Sequence, residues 1–149
     1  MNAGPTDIEQ IWRLLRKHVP EVTSGVIKVL GISRERGSRS ILAVASNDPR
    51  GDPVGGVVGR RGERVKRIVS ELGGEQIDVV RWDESTERFI ANLLAPLRLT
   101  EASFDEASRE ANVRVVRRSE SHKPDIALRS KLLMDLTGWK LHVEVKEEG

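Results

Sequence analysis

The chain has 149 residues, no cysteine, and a net charge of only +2 that results from 25 basic and 23 acidic side chains. This length fits one ordinary domain or two small ones. The lack of cysteine excludes disulfides and thiolate metal sites. No apolar run is as long as a membrane span, and the N-terminal sequence lacks the basic and apolar segments of a signal peptide. The composition therefore predicts a soluble, cytoplasmic protein with no membrane association.

The N-terminal part of the chain predicts a helix followed by a β-hairpin. Apolar residues recur at helical spacing from Thr6 to His18, and we expect Pro20 to end this helix. The segments SGVIKVLGIS and SRSILAVAS are rich in β-branched residues and are separated by RERG. This pattern is typical of two antiparallel strands joined by a turn.

The next segment, GDPVGGVVGRRGERVKRIVSELGG, predicts two short helices around a glycine-rich turn. Asp52 can cap a first helix that begins at Pro53. Apolar residues three and four apart predict a second helix from Glu63 to Leu72, and EQIDVVRW then reads as a strand. The first half of the chain therefore has the order helix, strand, strand, helix, helix, strand.

The second half of the chain repeats much of this order. ESTERFIANLLAPL predicts a helix with Phe89, Ile90, Leu93 and Leu94 facing inward. RLTEASFDEA and NVRVVRR predict strands, KPDIALRSKLLMDLTG predicts a helix that begins near Pro124, and WKLHVEVK predicts a final strand. The segments SELGGEQIDVVRW and MDLTGWKLHVEVK match as a helix end, a glycine and a strand. We therefore predict two copies of one mixed α/β (α+β) unit, residues 6–82 and 83–149.

The turn Gly59-Arg60-Arg61-Gly62 is the strongest candidate for a binding site. A nucleotide-cofactor loop is disfavoured, because no glycine precedes Lys-Ser or Lys-Thr and because the polar segment NDPRGDP stands where a buried strand is needed. A helix–GXXG–helix arrangement, which clamps the backbone of a nucleic acid, fits better. A plain helix–helix turn with incidental arginines is the remaining alternative.

Each residue type at this turn suits contact with a nucleic-acid backbone. Glycines let the sugar–phosphate chain approach the main chain, and the amides at a helix start attract an anion. Arginines add charge without reading sequence, and valines supply apolar walls for bases. The candidate RNA-binding residues are Gly59, Arg60, Arg61, Gly62, Arg64, Arg67, Val54, Val57, Val58 and Val65.

A longer stretch supports this interpretation. The sequence from Glu9 to Pro96, which includes HVPEVTSGVIKVLGISRERGSRSILAVASNDP and DPVGGVVGRRGERVKRIVSELGGEQID, resembles the first KH domain of the NusA family of bacterial transcription factors. LTGWKLHV resembles the end of that family's second KH domain. The resemblance implies two consecutive type II KH domains, each α-β-β-α-α-β, with a three-stranded sheet and helices packed on one face.

The same resemblance implies a function. It implies single-stranded RNA as the ligand and a role in transcription elongation, termination or antitermination, with RNA polymerase as a partner and no catalytic activity. Members of the family carry a polymerase-binding domain and an OB-fold domain ahead of the KH pair, whereas this sequence begins at the KH region. It would then correspond either to a short stand-alone paralogue or to a fragment.

The second unit departs from the family pattern. Pro124, Asp125, Ile126 and Ala127 stand where the second GXXG loop is expected. We therefore predict that residues 83–149 form a degenerate KH domain without a phosphate clamp. Any weak RNA binding by this unit would use Arg117, Arg118, Lys123 and Arg129. The alternative function is a protein-interaction scaffold for RNA polymerase, a ribosomal component or a NusA partner, in which RNA binding is secondary.

The sequence gives no sign of a metal site, a cofactor or an enzyme active site. His18, His122 and His142 have no ligand spacing. The acidic pairs Asp83-Glu84 and Asp105-Glu106 have no partner base or nucleophile. We expect the three tryptophans to serve packing rather than base stacking.

Overall fold

The computed structural model describes residues 5–118 and 123–148, without the side chains of residues 5 and 6. The chain divides into two compact units, Met1–Trp82 and Asp83–Gly149. Each unit contains one three-stranded sheet. Among the described residues, no helix is both long enough and apolar enough to cross a membrane.

The first unit has the predicted order of elements plus one short helix. Its elements are α1 (Pro5–His18), α2 (Pro20–Ser24), β1 (Ile27–Glu35), β2 (Arg39–Ser46), α3 (Pro53–Val58), α4 (Glu63–Glu71) and β3 (Gln76–Arg81). Helix α2 was not predicted, because Pro20 was taken only as the end of α1. Proline is well suited to the first position of a helix, and Gly25, with φ 86°, ends α2 after five residues.

Strand β2 lies at the centre of the first sheet. It pairs antiparallel with β1 and parallel with β3. A parallel pair needs a crossover connection, and α3 and α4 provide it. The register of β1 against β2 shifts between Val29 and Gly31, so Leu30 forms a β-bulge.

The helices cover one face of this sheet with an apolar core. The predicted helical spacing of α1 is confirmed, since Ile11, Leu14 and Leu15 are all buried. Trp12 packs partly buried against the same core, as expected for a packing residue. The buried residues of this core are Ile11, Leu14, Leu15, Val19, Ile27, Leu42, Val44, Val57, Ile68 and Ile77.

A buried ion pair joins the hairpin to the start of β3. The side chains of Arg34 and Glu75 are only 4% and 1% exposed, and Arg34 Nη2 lies 2.8 Å from Glu75 Oε1. Glu75 also accepts hydrogen bonds from the Gly37 backbone N–H at 3.0 Å and the Ser40 hydroxyl at 2.8 Å. Arg34 Nη1 donates to the backbone carbonyl of Asp7 at 2.7 Å. Since every group in this network has a partner, it fixes α1, the hairpin and β3 together.

This network makes the stability of the first unit depend on pH. Burial alone would raise the pKa of Glu75, but the hydrogen bonds from Arg34, Gly37 and Ser40 hold that pKa below its usual value. A carboxyl whose pKa is lower in the folded state stabilises the fold above its unfolded pKa of about 4.3 and stops doing so as the pH falls through the folded pKa.

We therefore expect the first unit to lose stability progressively below about pH 4.3. Urea unfolding at a series of pH values between neutral and strongly acidic checks this expectation. A Glu75→Gln variant, which cannot ionise at this position, should show a flatter dependence over the same range. A native curve as flat as that of the variant would contradict the role given to Glu75.

The second unit has a similar but shorter order of elements. They are α5 (Thr86–Leu94), β4 (Arg98–Asp105), β5 (Glu110–Arg118), α6 (Ile126–Thr137) and β6 (Lys140–Glu148). In the described residues one helix lies between β5 and β6, as the apolar spacing predicted, where the α-β-β-α-α-β order implied by the family resemblance has two. Residues 123–125 are not helical, and residues 119–122 lie outside the described part. Helix α6 begins at Ile126 with Asp125 as its N-cap, so the predicted start at Pro124 is wrong by two residues.

The second sheet repeats the topology of the first. Strand β5 is central, antiparallel to β4 and parallel to β6. The register of β4 also shifts, between Leu99 and Glu101, so Thr100 forms a bulge.

Helix α5 and Trp139 supply much of the core of the second unit. The four apolar residues predicted to face inward from α5, namely Phe89, Ile90, Leu93 and Leu94, are fully buried. Trp139 is also buried, and its ring meets that of Phe104 edge-on at 5.3 Å between centroids. Its predicted packing role is therefore confirmed.

Candidate nucleic-acid interface

The glycine-rich turn lies between two helices of the first unit, as the sequence indicated. Helix α3 ends at Val58, a 3-10 turn spans Arg60–Gly62, and α4 begins at Glu63. Asp52 caps α3 as expected, because its side chain accepts a hydrogen bond from the Gly55 N–H at 2.9 Å. The Gly59 N–H closes the other end of α3 by donating to the carbonyl of Gly55 at 2.9 Å.

Three residues of this loop have positive φ angles. Gly59 has φ 81° and ψ 170°, a conformation that is essentially restricted to glycine. Arg61 (φ 57°, ψ 24°) and Gly62 (φ 75°, ψ 15°) lie in the left-handed helical region. A Cβ atom at Gly59 would stand 2.9 Å from the backbone nitrogen of Arg64, so the structure has no room for a side chain at the first glycine.

The backbone of the loop presents free hydrogen-bond donors. The Gly62 N–H donates to the Gly59 carbonyl at 3.0 Å, but no partner for the N–H groups of Arg60 and Arg61 is found among the described residues. Gly62 is the N-cap of α4 and has no side chain to accept a bond from the first turn. Free amides beside the positive end of a helix dipole favour an anion.

Three of the arginines predicted to contact RNA lie on the exposed surface. Arg60, Arg61 and Arg67 are exposed, and none of them has an ion-pair partner in residues 5–118 and 123–148. Sequence reasoning omitted Lys66 from the candidate site. Its Cε lies 3.8 Å from the point that a Gly62 Cβ would occupy, so this side chain lies beside the loop. The spacing could have revealed it, because a residue four positions along a helix leans back toward the N-terminal turn.

Arg64 has a different environment from the other arginines. Its Nη1 donates to the carbonyl of Gly56 at 2.7 Å and to Glu21 Oε1 at 2.9 Å, and its side chain is 29% exposed. A hydrogen bond from the backbone and the bond from Arg64 together hold the pKa of Glu21 below its usual value. One nitrogen of the guanidinium predicted to contact RNA is therefore already bonded within the protein.

The four predicted groove valines separate into two groups. Val57 is fully buried in the core, so no ligand can touch it and its predicted place in a groove wall does not hold. Val54 and Val65 pack against that core while keeping part of their surface exposed, and Val58 is half-buried. Since α3 and α4 both pack on β3, these three valines leave apolar surface near the edge of the sheet.

The corresponding place in the second unit is occupied by a carboxylate of the chain itself. Asp125 Oδ1 accepts a hydrogen bond from the Leu128 N–H at 3.0 Å at the start of α6. Arg129 is buried and donates to the carbonyl of Leu93 at 2.8 Å, so it is not available to RNA. Arg117 forms an ion pair with Glu147, with 3.3 Å between its Nη1 and the Oε1 of the carboxylate.

Two further basic residues of this unit, Arg118 and Lys123, lie on its surface. His122, which the sequence analysis considered for a metal site, lies outside the described residues.

Residues 5–82 match the protein family described as NusA-like first KH domain. The chain belongs to the NusA-like KH family. The matched region runs from α1 through β3 and contains the whole GXXG loop, so the resemblance proposed from sequence is confirmed. The predicted fold class of the NusA-like chain, mixed α and β with a three-stranded sheet in each unit, is also confirmed.

Curated relatives extend the likeness beyond the first unit. The transcription termination/antitermination protein NusA of Thermus thermophilus is 34% identical over 137 residues, which are 90% of this chain and 35% of that protein. The protein of the same name from Bacillus subtilis is 35% identical over 137 residues, covering 89% and 36%. That from Rickettsia conorii is 36% identical over 148 residues, covering 95% and 29%. The NusA-like chain therefore spans roughly a third of the length of these relatives.

A solved structure shares the fold of the NusA-like chain. The crystal structure of APE1850 matches with a TM-score of 0.56 and 22% identity, covering 91% of this chain and 96% of the other. At this level of identity the match supports the fold alone.

Proposed function

We propose that the chain is a non-enzymatic, cytoplasmic RNA-binding module that acts in transcription elongation, termination or antitermination. Single-stranded RNA would bind along the loop from Gly59 to Gly62. The observation that carries this proposal is the combination of free loop amides, an uncapped helix N-terminus and unpaired cations in one GXXG loop. The names of the NusA relatives support the link to transcription termination and antitermination. In that role RNA polymerase would be a partner.

The loop would hold the RNA backbone. A KH loop of this kind clamps about four nucleotides through their sugar–phosphate chain. Gly59 and Gly62 leave the main chain open to close approach, and the N–H groups of Arg60 and Arg61 are free to donate to phosphate oxygens. The side chains of Arg60 and Arg61 add charge that is independent of base sequence.

The bases would lie against the apolar surface beside the loop. Val54, Val58 and Val65 can contact the faces of bases. Such apolar contacts discriminate little among the four bases. Strand β3 lies at the edge of its sheet, so its outer N–H and C=O groups can pair with base edges. We propose that base preference, where it exists, comes from this strand rather than from the valines.

The second unit, residues 83–149, would be a degenerate KH domain that has lost the phosphate clamp. Its helix N-terminus is already bonded to the carboxylate of Asp125, which would repel a phosphate. This observation favours a second function for this unit, namely contact with a protein such as RNA polymerase, a ribosomal component or another transcription factor. Capture of RNA polymerase by the immobilised chain after nuclease treatment would support that function, and complete loss of capture after nuclease would count against it.

Neutralising the loop arginines tests the RNA proposal. We expect Arg60→Gln/Arg61→Gln to lower the affinity for a pool of short single-stranded RNAs about tenfold or more, because two phosphate contacts are lost. The slope of log affinity against log salt concentration should fall by about 1.4, at about 0.7 for each contact to a single strand. Fluorescence anisotropy across a salt series measures both quantities.

The matched control is Arg13→Gln/Arg16→Gln. It removes the same charge from exposed positions on α1 of the same unit, away from the loop. Affinity and slope should stay close to those of the native chain. If the two double variants weaken binding equally, the RNA site is not the loop, and if the native chain shows no binding at low salt, the proposed function is wrong.

A further inference from the structure

We infer that the positive charges after the loop have two separate roles: Arg64 is a positioning residue that holds the loop in shape, and Lys66 is an additional contact to the RNA backbone. This inference rests on the proposed RNA-binding function and refines it. The sequence pattern had indicated Arg64 as an RNA contact and had not indicated Lys66.

Arg64 is bonded to the two helices that precede it. One of its nitrogens donates both to Gly56 in α3, at 2.7 Å, and to Glu21 in α2, at 2.9 Å. Its own backbone belongs to α4, so a single guanidinium joins three helices around the loop. These two bonds fix the position of the guanidinium against α2 and α3.

The stem of Arg64 also fixes the first glycine of the loop. A Cβ atom at Gly59 would stand 2.7 Å from Arg64 Cγ, so the aliphatic part of Arg64 fills the space beside this glycine. The unusual φ and ψ angles of Gly59 are thus supported from one side by a packed side chain. Loss of this support would let the loop leave the conformation that presents its free amides.

Lys66 has the properties that Arg64 lacks. It is exposed, it forms no ion pair within the described part of the chain, and its Cε lies beside Gly62. Its long stem can carry the ammonium group to a phosphate bound at the second glycine. The inferred backbone contacts are therefore Arg60, Arg61 and Lys66.

Two single variants that keep an unbranched stem but remove the charge separate these roles. We expect Lys66→Met to reduce the salt slope by about 0.7 and the affinity several-fold, since one phosphate contact is lost. Arg64→Met should reduce the affinity about tenfold while leaving the salt slope at its native value, because no phosphate contact is lost. The same randomised single-stranded RNA pool and salt series apply to both.

Amide hydrogen exchange without RNA provides a second measurement. Arg64→Met should speed the exchange of the Gly59 and Gly62 amides, both of which donate within the loop region, whereas Lys66→Met should not. An Arg64→Met slope that falls as far as that of Lys66→Met, or loop exchange that is unchanged by Arg64→Met, would overturn the positioning role. An unchanged slope in Lys66→Met would overturn the contact role.

Failure of the proposed function would look different. If Arg60→Gln/Arg61→Gln binds RNA as the native chain does, the loop is not the RNA site, and the Lys66 role falls with it. The exchange measurement would still decide whether Arg64 holds the loop.

Discussion

Replacing Glu75 with glutamine is expected to lower the free energy of unfolding of the first unit by about 3–5 kcal/mol, because it leaves the charge of Arg34 buried without its partner. The guanidinium of Arg34 donates to both oxygens of Glu75, at 2.9 and 3.2 Å from Nε and 2.8 Å from Nη2. Neither side chain can turn to water without opening the contact between the hairpin and β3. Few single substitutions of a polar residue have effects of this size.

Hydrogen exchange of the β1, β2 and β3 amides in increasing urea directly measures the free energy of unfolding that the first unit loses. The matched control is Arg39→Gln, which breaks the pair between Arg39 and Asp78 on the same sheet. These two side chains are 25% and 28% exposed, so water replaces the lost contact and the cost should stay below about 1 kcal/mol. Equal losses in the two variants would show that burial of the Arg34–Glu75 pair does not govern stability.

Replacing Gly59 with alanine is expected to lower the affinity for single-stranded RNA at least tenfold, which is equivalent to about 1.4 kcal/mol of binding free energy. The φ and ψ angles of Gly59 are costly for any residue with a Cβ atom, by about 1–3 kcal/mol. The added atom would also lie 2.9 Å from the backbone nitrogen of Arg64, which cannot move without shifting the start of α4. The loop must therefore change conformation.

A glycine of the same unit outside the loop provides the control. Gly73 also has a positive φ, of 72°, and a Cβ atom there would meet nothing within 4 Å. Asparagine tolerates such an angle, so Gly73→Asn should keep the native RNA affinity and thermal stability. Should Gly59→Ala bind RNA as tightly as Gly73→Asn, the conformation of the first glycine would not matter for binding.

Local signals predicted most of the first unit. The helices around the loop, the Asp52 cap and the place of the GXXG turn depend on residues within a few positions of one another, and all are present in the structure. The burial of Val57 and the ion pair of Arg64 with Glu21 were not predicted, because the partners of both residues are distant in sequence. Arg64 meets Glu21 from 43 positions away, and Arg34 meets Glu75 from 41 positions away. Periodicity cannot reveal such pairs.

In the second unit, too, the sequence predicted some elements well and missed others. The apolar spacing of α5 predicted its buried face, and the alternation of β-branched residues predicted β5. The start of α6 was placed too early, because proline is common in the first turn of helices. The hydrogen bond from the Leu128 N–H to Asp125 decides the start instead, and it leaves Pro124 in the preceding segment.

The β-bulges of the two units lie at corresponding places in their sheets. In the first sheet the extra residue, Leu30, lies opposite Val44 and Ala43, the sixth and fifth residues of β2. In the second sheet Thr100 lies opposite Val115 and Arg114, the sixth and fifth residues of β5. β-bulges are conserved within families, so a bulge at the same place in both sheets is what two copies of one unit are expected to share.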